Sequence, residues 1–242
     1  MKFSNPTALP AVGDRVLVIM AKAPRPGSVK TRLAPSLSPD AVTALYICLL
    51  HDTLSLAGSL TGTQVAIMCP DSDVDELRAL AGREVKVVAQ QGGGLAAGLT
   101  SVFGHFADDQ KKLTIAFNSD SPHLPPSILE DAFYKLATHD IVVGPTHDGG
   151  YYLIGAKSSH PTLFAGDGMG TSSALERLLS RTRALQLSVA FADRFYDIDV
   201  AADLARLAAE LRQAPERAPR TAEWLREWEL AAARSRTGTE SR

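Results

Sequence analysis

Arg15-Val16-Leu17-Val18-Ile19-Met20, running into Ala21-Lys22-Ala23-Pro24-Arg25-Pro26-Gly27-Ser28-Val29-Lys30-Thr31-Arg32-Leu33-Ala34-Pro35, is the stretch from which the fold is read. The first six residues form a short, continuous apolar run without the alternation of a half-exposed strand. They therefore read as a strand buried on both faces, the kind found in parallel sheets covered by helices on either side. The proline- and glycine-rich stretch that follows is a loop, and it ends where Ser38 and Pro39 supply an N-cap and a first-turn proline for a helix to about residue 57.

Outward from there, strands and helices alternate. Strands are expected at 64–68, 84–88, 113–117, 141–143, 151–154 and 185–191. Helices are expected at 74–81, 95–106, 127–137, 172–179 and 201–211. This order predicts an α/β protein with three layers, a mainly parallel sheet between helices, in which the strand at 151–154 interrupts the order and pairs differently. The pattern changes after residue 213, so the chain is divided into a domain over 1–213 and a C-terminal extension over 214–242. The extension holds one amphipathic helix at about 221–233 with Trp224 and Trp228, then a Ser/Thr/Arg tail expected to fray. That helix is suited either to packing on its own domain or to forming a homodimer contact.

With 242 residues, 45% hydrophobic and 21% charged, the chain has the composition of a globular protein with a substantial core. A net charge of −2 gives no bulk reason for a nucleic-acid partner or an anionic membrane surface. The start of the chain lacks signal-peptide character, and no apolar run is expected to approach the ~20 residues that span a bilayer. Cys48 and Cys69 lack ligand-like neighbours at metal spacing and read as buried, reduced thiols. A soluble, cytoplasmic protein is the expectation.

Two constellations carry chemistry. Between Arg15 and Pro39 there are five basic residues and no acidic one. Lys22, Arg25, Lys30 and Arg32 all fall in the loop leaving the first strand, the default ligand position of an open α/β sheet. A loop stiffened by Pro24, Pro26 and Gly27 can converge side chains and N–H groups on a polyanion, so these residues are assigned to nucleotide phosphates, with a solvated basic surface loop as the competing reading. The second constellation is acidic. Asp120 ends a strand in Asn118-Ser119-Asp120-Ser121-Pro122, and Asp197 and Asp199 lie in Tyr196-Asp197-Ile198-Asp199. Two aspartates from separate strands suffice for Mg²⁺ or Mn²⁺ alongside substrate phosphates. Asp120 and Asp199 are the candidate metal ligands, with Asp197 in reserve. Capping of the helix near residue 201 competes for Asp199, and turn formation competes for Asp120.

Asp148 stands in His147-Asp148-Gly149-Gly150-Tyr151-Tyr152, where the glycines allow close backbone approach and the tyrosines offer stacking; an Asp-Gly hairpin turn is the competing reading. Gln90 and Gln91, beside Gly92 and Gly93, are suited to a base or ribose, while the dinucleotide-like spacing of Gly92, Gly94 and Gly98 is wrong for that fingerprint. The six histidines show no metal-ligand spacing, and His123 and His147 read as polar lining.

The loop 21–35 resembles the signature of a bacterial glycosyltransferase-A-like family, also called arsenosugar-biosynthesis or radical-SAM-associated glycosyltransferases. The resemblance continues through Gln91-Gly92-Gly93, Ser119-Asp120-Ser121-Pro122, Asp148 to Gly155 and Tyr196 to Asp199, covering about 16–207. It implies the nucleotide-diphospho-sugar transferase fold (GT-A, Rossmann-like). Several motifs are also similar to 2-phospholactate guanylyltransferases. That similarity implies Ala21, Lys22, Arg25, Gly27, Lys30, Arg32, Gln91, Gly92 and Gly93 around the nucleotide, with Lys30 and Arg32 on a triphosphate. It further implies Asp120 and Asp199 on the metal, and Asp148, Gly149, Gly150, Tyr151 and Thr171 facing an acceptor. Asn118 stands where the family usually has glycine, and Met169 where it has tryptophan.

The leading expectation is a transferase in which a phosphorylated small molecule attacks the α-phosphate of a nucleoside triphosphate, with Lys30, Arg32, Asp120 and Asp148 as catalytic residues. Glycosyl transfer from a nucleotide-diphospho-sugar, with Asp148 activating an acceptor hydroxyl, is the rival. A non-catalytic nucleotide-binding module would require the carboxylate pair to be idle.

Overall fold

A computed structural model describes residues 14–107, 112–166 and 172–239. Its centre is a seven-stranded sheet in the order β3-β2-β1-β4-β6-β5-β7. The strands are β1 (Arg15–Met20), β2 (Thr63–Cys69), β3 (Lys86–Ala89), β4 (Leu113–Asn118), β5 (Ile141–Pro145), β6 (Tyr151–Ala156) and β7 (Val189–Phe191). All pairings are parallel except those of β6, which runs antiparallel between β4 and β5. The expected interruption at 151–154 is therefore real. A hairpin with few loop residues can only join antiparallel neighbours, and β5 returns through Thr146–Gly150 directly into β6.

The described residues form seven helices: α1 (Pro39–Gly58), α2 (Val74–Ala81), α3 (Gly94–Phe106), α4 (Pro126–Thr138) and α5 (Ala174–Ala184) pack on the sheet, while α6 (Ala201–Gln213) and α7 (Pro219–Thr239) pack on the outer side of α1. Leu17 and Ile19 of β1 enter a core with residues of α1, α2 and α4, whereas Val16 and Val18 enter a separate core with α3 and α5. This is why the opening strand carries no polar alternation: both of its faces are closed. The segment 185–191 is strand only from Val189, because α5 continues to Ala184, with Thr182 buried, and Gln186 turns the chain at φ 56.

Helix α1 is 20 residues long and, by length and composition alone, apolar enough to cross a membrane, contrary to the expectation that no such run exists. Its apolar residues are divided between two partners. Tyr46, Leu50 and Leu56 face the sheet, while Val42, Leu45 and Leu49 face a third cluster with α6, α7 and the loop residues Leu33 and Leu37. A helix covered on two sides has no polar face to keep. Cys69 is buried and Cys48, on α1, half-buried; both are free, and burial pushes the Cys69 thiol up to about 11.

The segment after residue 213 docks here. Trp224 packs at the edge of the third cluster and stacks on Trp228 with 6.1 Å between ring centroids. Asp52, buried on α1, accepts hydrogen bonds from the Thr221 backbone N–H at 2.8 Å and the Thr221 hydroxyl at 2.7 Å, capping the first turn of α7 from another element. The expected frayed tail lies mostly outside the described side chains. Asp52→Ala should remove both partners from a buried donor pair and lower stability by about 2 kcal/mol in urea unfolding.

His123 is fully buried between Phe195 and Tyr196, at 4.8 and 4.7 Å between ring centroids, and neither ring nitrogen has a hydrogen-bond partner among the described residues. Burial, with Arg217 and Arg206 nearby, pushes its pKa down to about 3 from 6.5. The unfolded chain then binds more protons than the folded one between those values, so stability falls as pH drops through 6.5 and keeps falling towards 3. Between pH 7.5 and 5 the parent protein should lose roughly 2 kcal/mol more than a His123→Leu variant, measured by urea unfolding at each pH.

Candidate active site

The carboxyl ends of β1 and β4 open into a cavity of about 670 Å³. Its lining joins both constellations: Lys30 and Arg32 from the β1 loop, Asp120 from the end of β4, Asp148 and Gly150 from the β5–β6 turn, and Asp197 and Asp199 from the segment before α6. Residues far apart in the chain meet because β1 and β4 are sheet neighbours and Ile198 donates its N–H to the Asp120 carbonyl at 3.2 Å.

The β1 loop presents its cations by a simple device. Val29 and Leu33 are buried and anchor it, while Lys30, between them, adopts the left-handed conformation with φ 48 and ψ 40. Such backbone geometry in a non-glycine residue is unfavourable and persists only where contacts enforce it. Here the Lys30 ammonium lies 2.6 Å from Asp120 Oδ2 and 3.9 Å from Asp199 Oδ1, with its side chain 7% exposed. Arg32, largely exposed, donates to Asp199 Oδ2 at 2.5 Å.

The competing roles of Asp199 are separated by the hydrogen bonds. Asp203 caps α6, its carboxylate accepting from the N–H groups of Val200 at 2.9 Å and Asp199 at 3.1 Å. The Asp199 carboxylate is left to face Lys30 and Arg32. Asp197 lies deeper. Burial is the main cause that raises its pKa to about 6; Lys30 opposes the rise, and the carboxylates of Asp120 and Asp199 add to it.

Asp148 accepts from the Thr146 hydroxyl at 2.5 Å and the Gly150 N–H at 3.2 Å, which hold its carboxyl below the usual range despite partial burial. The turn is real, yet it also aims the carboxylate into the cavity, so the two readings of this segment coexist. Gly149 has φ +89, and a Cβ there would sit 2.0 Å from the Ser172 carbonyl oxygen. Its own carbonyl accepts from Leu175 N–H, bringing the start of α5 against the turn. Tyr151 completes this wall, its phenol pushed up by burial. Thr171 and Met169 lie outside the described residues.

Other residues assigned to the nucleotide are placed elsewhere. Ala21 is buried, with its N–H on Met68 O, and Gly27 shapes an exposed turn at φ 75. The exposed Lys22 side chain does not line the cavity, and neither do Gln91, Gly92 or Gly93. From that region only Leu95 and Leu99 of α3 reach it. Arg25 corrects the reading of an uncompensated basic loop. Its guanidinium pairs with Glu76 at 2.6 Å and Asp73 at 3.0 Å and donates to Ser72 O, pinning the loop to α2 instead of reaching the cavity. Asp73 also accepts from Ala23 N–H at 2.9 Å. The neutralising acids are some fifty residues away in the chain, beyond any local count. His123 belongs to the core and His147 to an exposed turn, so neither lines the cavity.

The lining thus sets four aspartates against two cations. Among the described residues no three His, Cys, Asp or Glu side chains are gathered closely enough to hold an ion by themselves. The hard carboxylate oxygens of Asp120 and Asp199, already bridged by an ammonium, suit a divalent cation that takes its remaining ligands from phosphates and water.

Residues 53–171 match the model of a family described as an uncharacterized protein conserved in bacteria, DUF2064. No curated protein matches the chain. A crystal structure from Desulfovibrio desulfuricans G20, provisionally described as a nucleotide-diphospho-sugar transferase, is 28% identical with a TM-score of 0.82, over 90% of this chain and 96% of that chain. The 4-diphosphocytidyl-2C-methyl-D-erythritol synthase of Anaerococcus prevotii DSM 20548 is 12% identical with a TM-score of 0.55, over 82% and 96% of the two chains. A CMP:2-keto-3-deoxy-manno-octonic acid synthetase solved with CTP is 14% identical with a TM-score of 0.53, over 83% and 99%. The last two share the fold. The chain therefore has the nucleotide-diphospho-sugar transferase architecture, and its likeness to the Desulfovibrio protein places it with enzymes of the transferase class.

Lys30→Ala should weaken the binding of a nucleoside triphosphate about tenfold or more, since a charge-assisted contact is lost. Arg25→Ala should lower the melting temperature while leaving that affinity within about twofold. Calorimetric titration of the two variants checks both halves.

Proposed function

We propose that the chain is a divalent-cation-dependent nucleotidyltransferase that joins a nucleoside monophosphate to a phosphorylated small molecule and releases pyrophosphate. The observation that carries this reading is the convergence of Lys30 and Arg32 on Asp120 and Asp199 at the carboxyl edge of the sheet. An oxygen of the acceptor phosphate attacks the α-phosphorus of the triphosphate, the bond from that phosphorus to the bridging oxygen breaks, and pyrophosphate leaves with the electron pair. The attacking group is already an anion, so no strong general base is required, and catalysis rests on orientation and charge neutralisation.

Lys30 and Arg32 offset charge on the departing pyrophosphate, and the Asp148 turn orients the acceptor. Asp120 and Asp199 are the residues that would hold Mg²⁺ or Mn²⁺. When bound, the ion supplies charge neutralisation to phosphate oxygens that would otherwise meet an acidic cavity.

Glycosyl transfer from a nucleotide-diphospho-sugar is the second reading. It is favoured by the description of the Desulfovibrio relative and by Arg25, whose engagement with Asp73 and Glu76 leaves fewer cations for a triphosphate. There Asp148 would accept the proton of an acceptor hydroxyl.

The test is a thermal-shift panel of nucleoside triphosphates and nucleotide-diphospho-sugars with Mg²⁺ or chelator. A triphosphate at about a hundred times its dissociation constant should raise the melting temperature by roughly 5–10 °C only when the metal is present. Asp120→Ala should lose that response while remaining folded. Response to diphospho-sugars alone shifts the assignment to glycosyl transfer, and silence throughout overturns both readings.

A further inference from the structure

The Asp120 carboxylate is held from behind as well as from the front. Oδ2 faces Lys30, and Oδ1 accepts from the Ser119 hydroxyl at 3.1 Å. That hydroxyl lies 3.2 Å from the phenol of Tyr46, on α1, and the same phenol accepts from the backbone N–H of Lys22 at 3.2 Å. The direction of the chain follows from proton counting. An ionised carboxylate only accepts, so with its single proton on Asp120 the Ser119 hydroxyl can meet Tyr46 only as an acceptor. The Lys22 carbonyl, also at 3.2 Å from the phenol, competes for the Tyr46 proton but leaves the Tyr46–Ser119 contact without a hydrogen.

The two linking side chains are buried: Tyr46 is 3% and Ser119 4% accessible, and the Ser119 carbonyl accepts from the buried Thr53 hydroxyl, also on α1, at 3.2 Å. The phenol stays protonated, since burial pushes it up to about 12.

We propose that Tyr46 is a positioning residue whose hydroxyl ties the start of the β1 loop to Asp120 through Ser119, so that the loop and the carboxylate keep one geometry. The proposal deepens the reading of Asp120 as a site carboxylate and rests on it. Two strands of the sheet deliver the loop and the carboxylate, yet only this relay connects Lys22 to Asp120 by side-chain hydrogen bonds among the described residues. Aligned donors in a buried chain reinforce one another, and removing one leaves the others unsatisfied.

The test uses the full chain carrying Tyr46→Phe, Ser119→Ala or both, with Asp120→Asn as control. Mn²⁺ binding without nucleotide is read by electron paramagnetic resonance, and backbone protection by amide exchange. Tyr46→Phe keeps the packed ring and should raise the Mn²⁺ dissociation constant about three- to tenfold. Ser119→Ala should do the same, and the double variant should be no worse than Ser119→Ala alone, because both act on one path. Exchange at the Lys22 amide should accelerate about tenfold in Tyr46→Phe and not in Ser119→Ala.

Parent-like Mn²⁺ affinity in Tyr46→Phe and Ser119→Ala while Asp120→Asn loses it overturns the relay, as do additive losses in the double variant. If the parent itself binds no Mn²⁺, the divalent-cation reading falls. The relay is then judged on Lys22 exchange alone: acceleration sustains it and unchanged protection overturns it. If Tyr46→Phe does not fold, Ser119→Ala decides by its Mn²⁺ affinity.

Discussion

The contact between the Lys30 ammonium and the Asp120 carboxylate is the constraint on which the rest of the site depends. It joins the loop after β1 to the end of β4, and it satisfies a lysine whose side chain is nearly closed off from water. A charge buried to that degree needs a partner, because desolvation without one costs several kcal/mol. The pair also accounts for the left-handed backbone at Lys30, which the apolar anchors Val29 and Leu33 impose from either side. Asp199, brought in by the segment before α6, shares the same cation and takes Arg32 as well. A site built in this way is compact and acidic on balance, with its few cations already committed.

That balance shapes what the cavity accepts. Polyphosphate entering among four aspartates meets repulsion unless the committed cations turn towards it or a divalent ion joins it. The sheet supplies the rigidity such an exchange needs. β1 and β4 are parallel neighbours in register from Arg15 with Leu113 to Met20 with Asn118, so the two loops start at the same height. Behind them α1 packs against the sheet on one side and against α6 and α7 on the other, and Tyr46 reaches from that helix to the back of the site. Helix, loop and carboxylate thus belong to one packed unit, while Arg25 fastens the early part of the loop to α2.

Much of the fold was legible before any coordinates. Val16 to Ile19 alternate between two cores, and a run without polar interruption is how such a strand must read. The β1 loop, the carboxylate after β4 and the Asp-x-Asp segment were also visible, since each breaks a local rule: basic residues without nearby acids, or a charge ending an apolar strand. Edges were less legible. The last strand begins four residues later than periodicity predicts, because Leu185 and Leu187, which follow α5, resemble the start of a strand.

The residue types of the site, their placement at strand ends and the covered parallel sheet were determined by the sequence alone, because periodicity and turn chemistry act over a few neighbouring residues. Partnership was decided by the tertiary structure. Arg25 and Lys30 are both basic residues of one loop, yet one meets Asp73 and Glu76 and the other Asp120. Asp199 and Asp203 are both near the start of α6, yet only Asp203 caps it. Asp52 and Tyr46 sit on one helix, and they serve the C-terminal helix and the site respectively. In each case the choice depends on which groups long-range packing brings within about 3 Å, where hydrogen bonds and ion pairs act, and no local pattern encodes that distance.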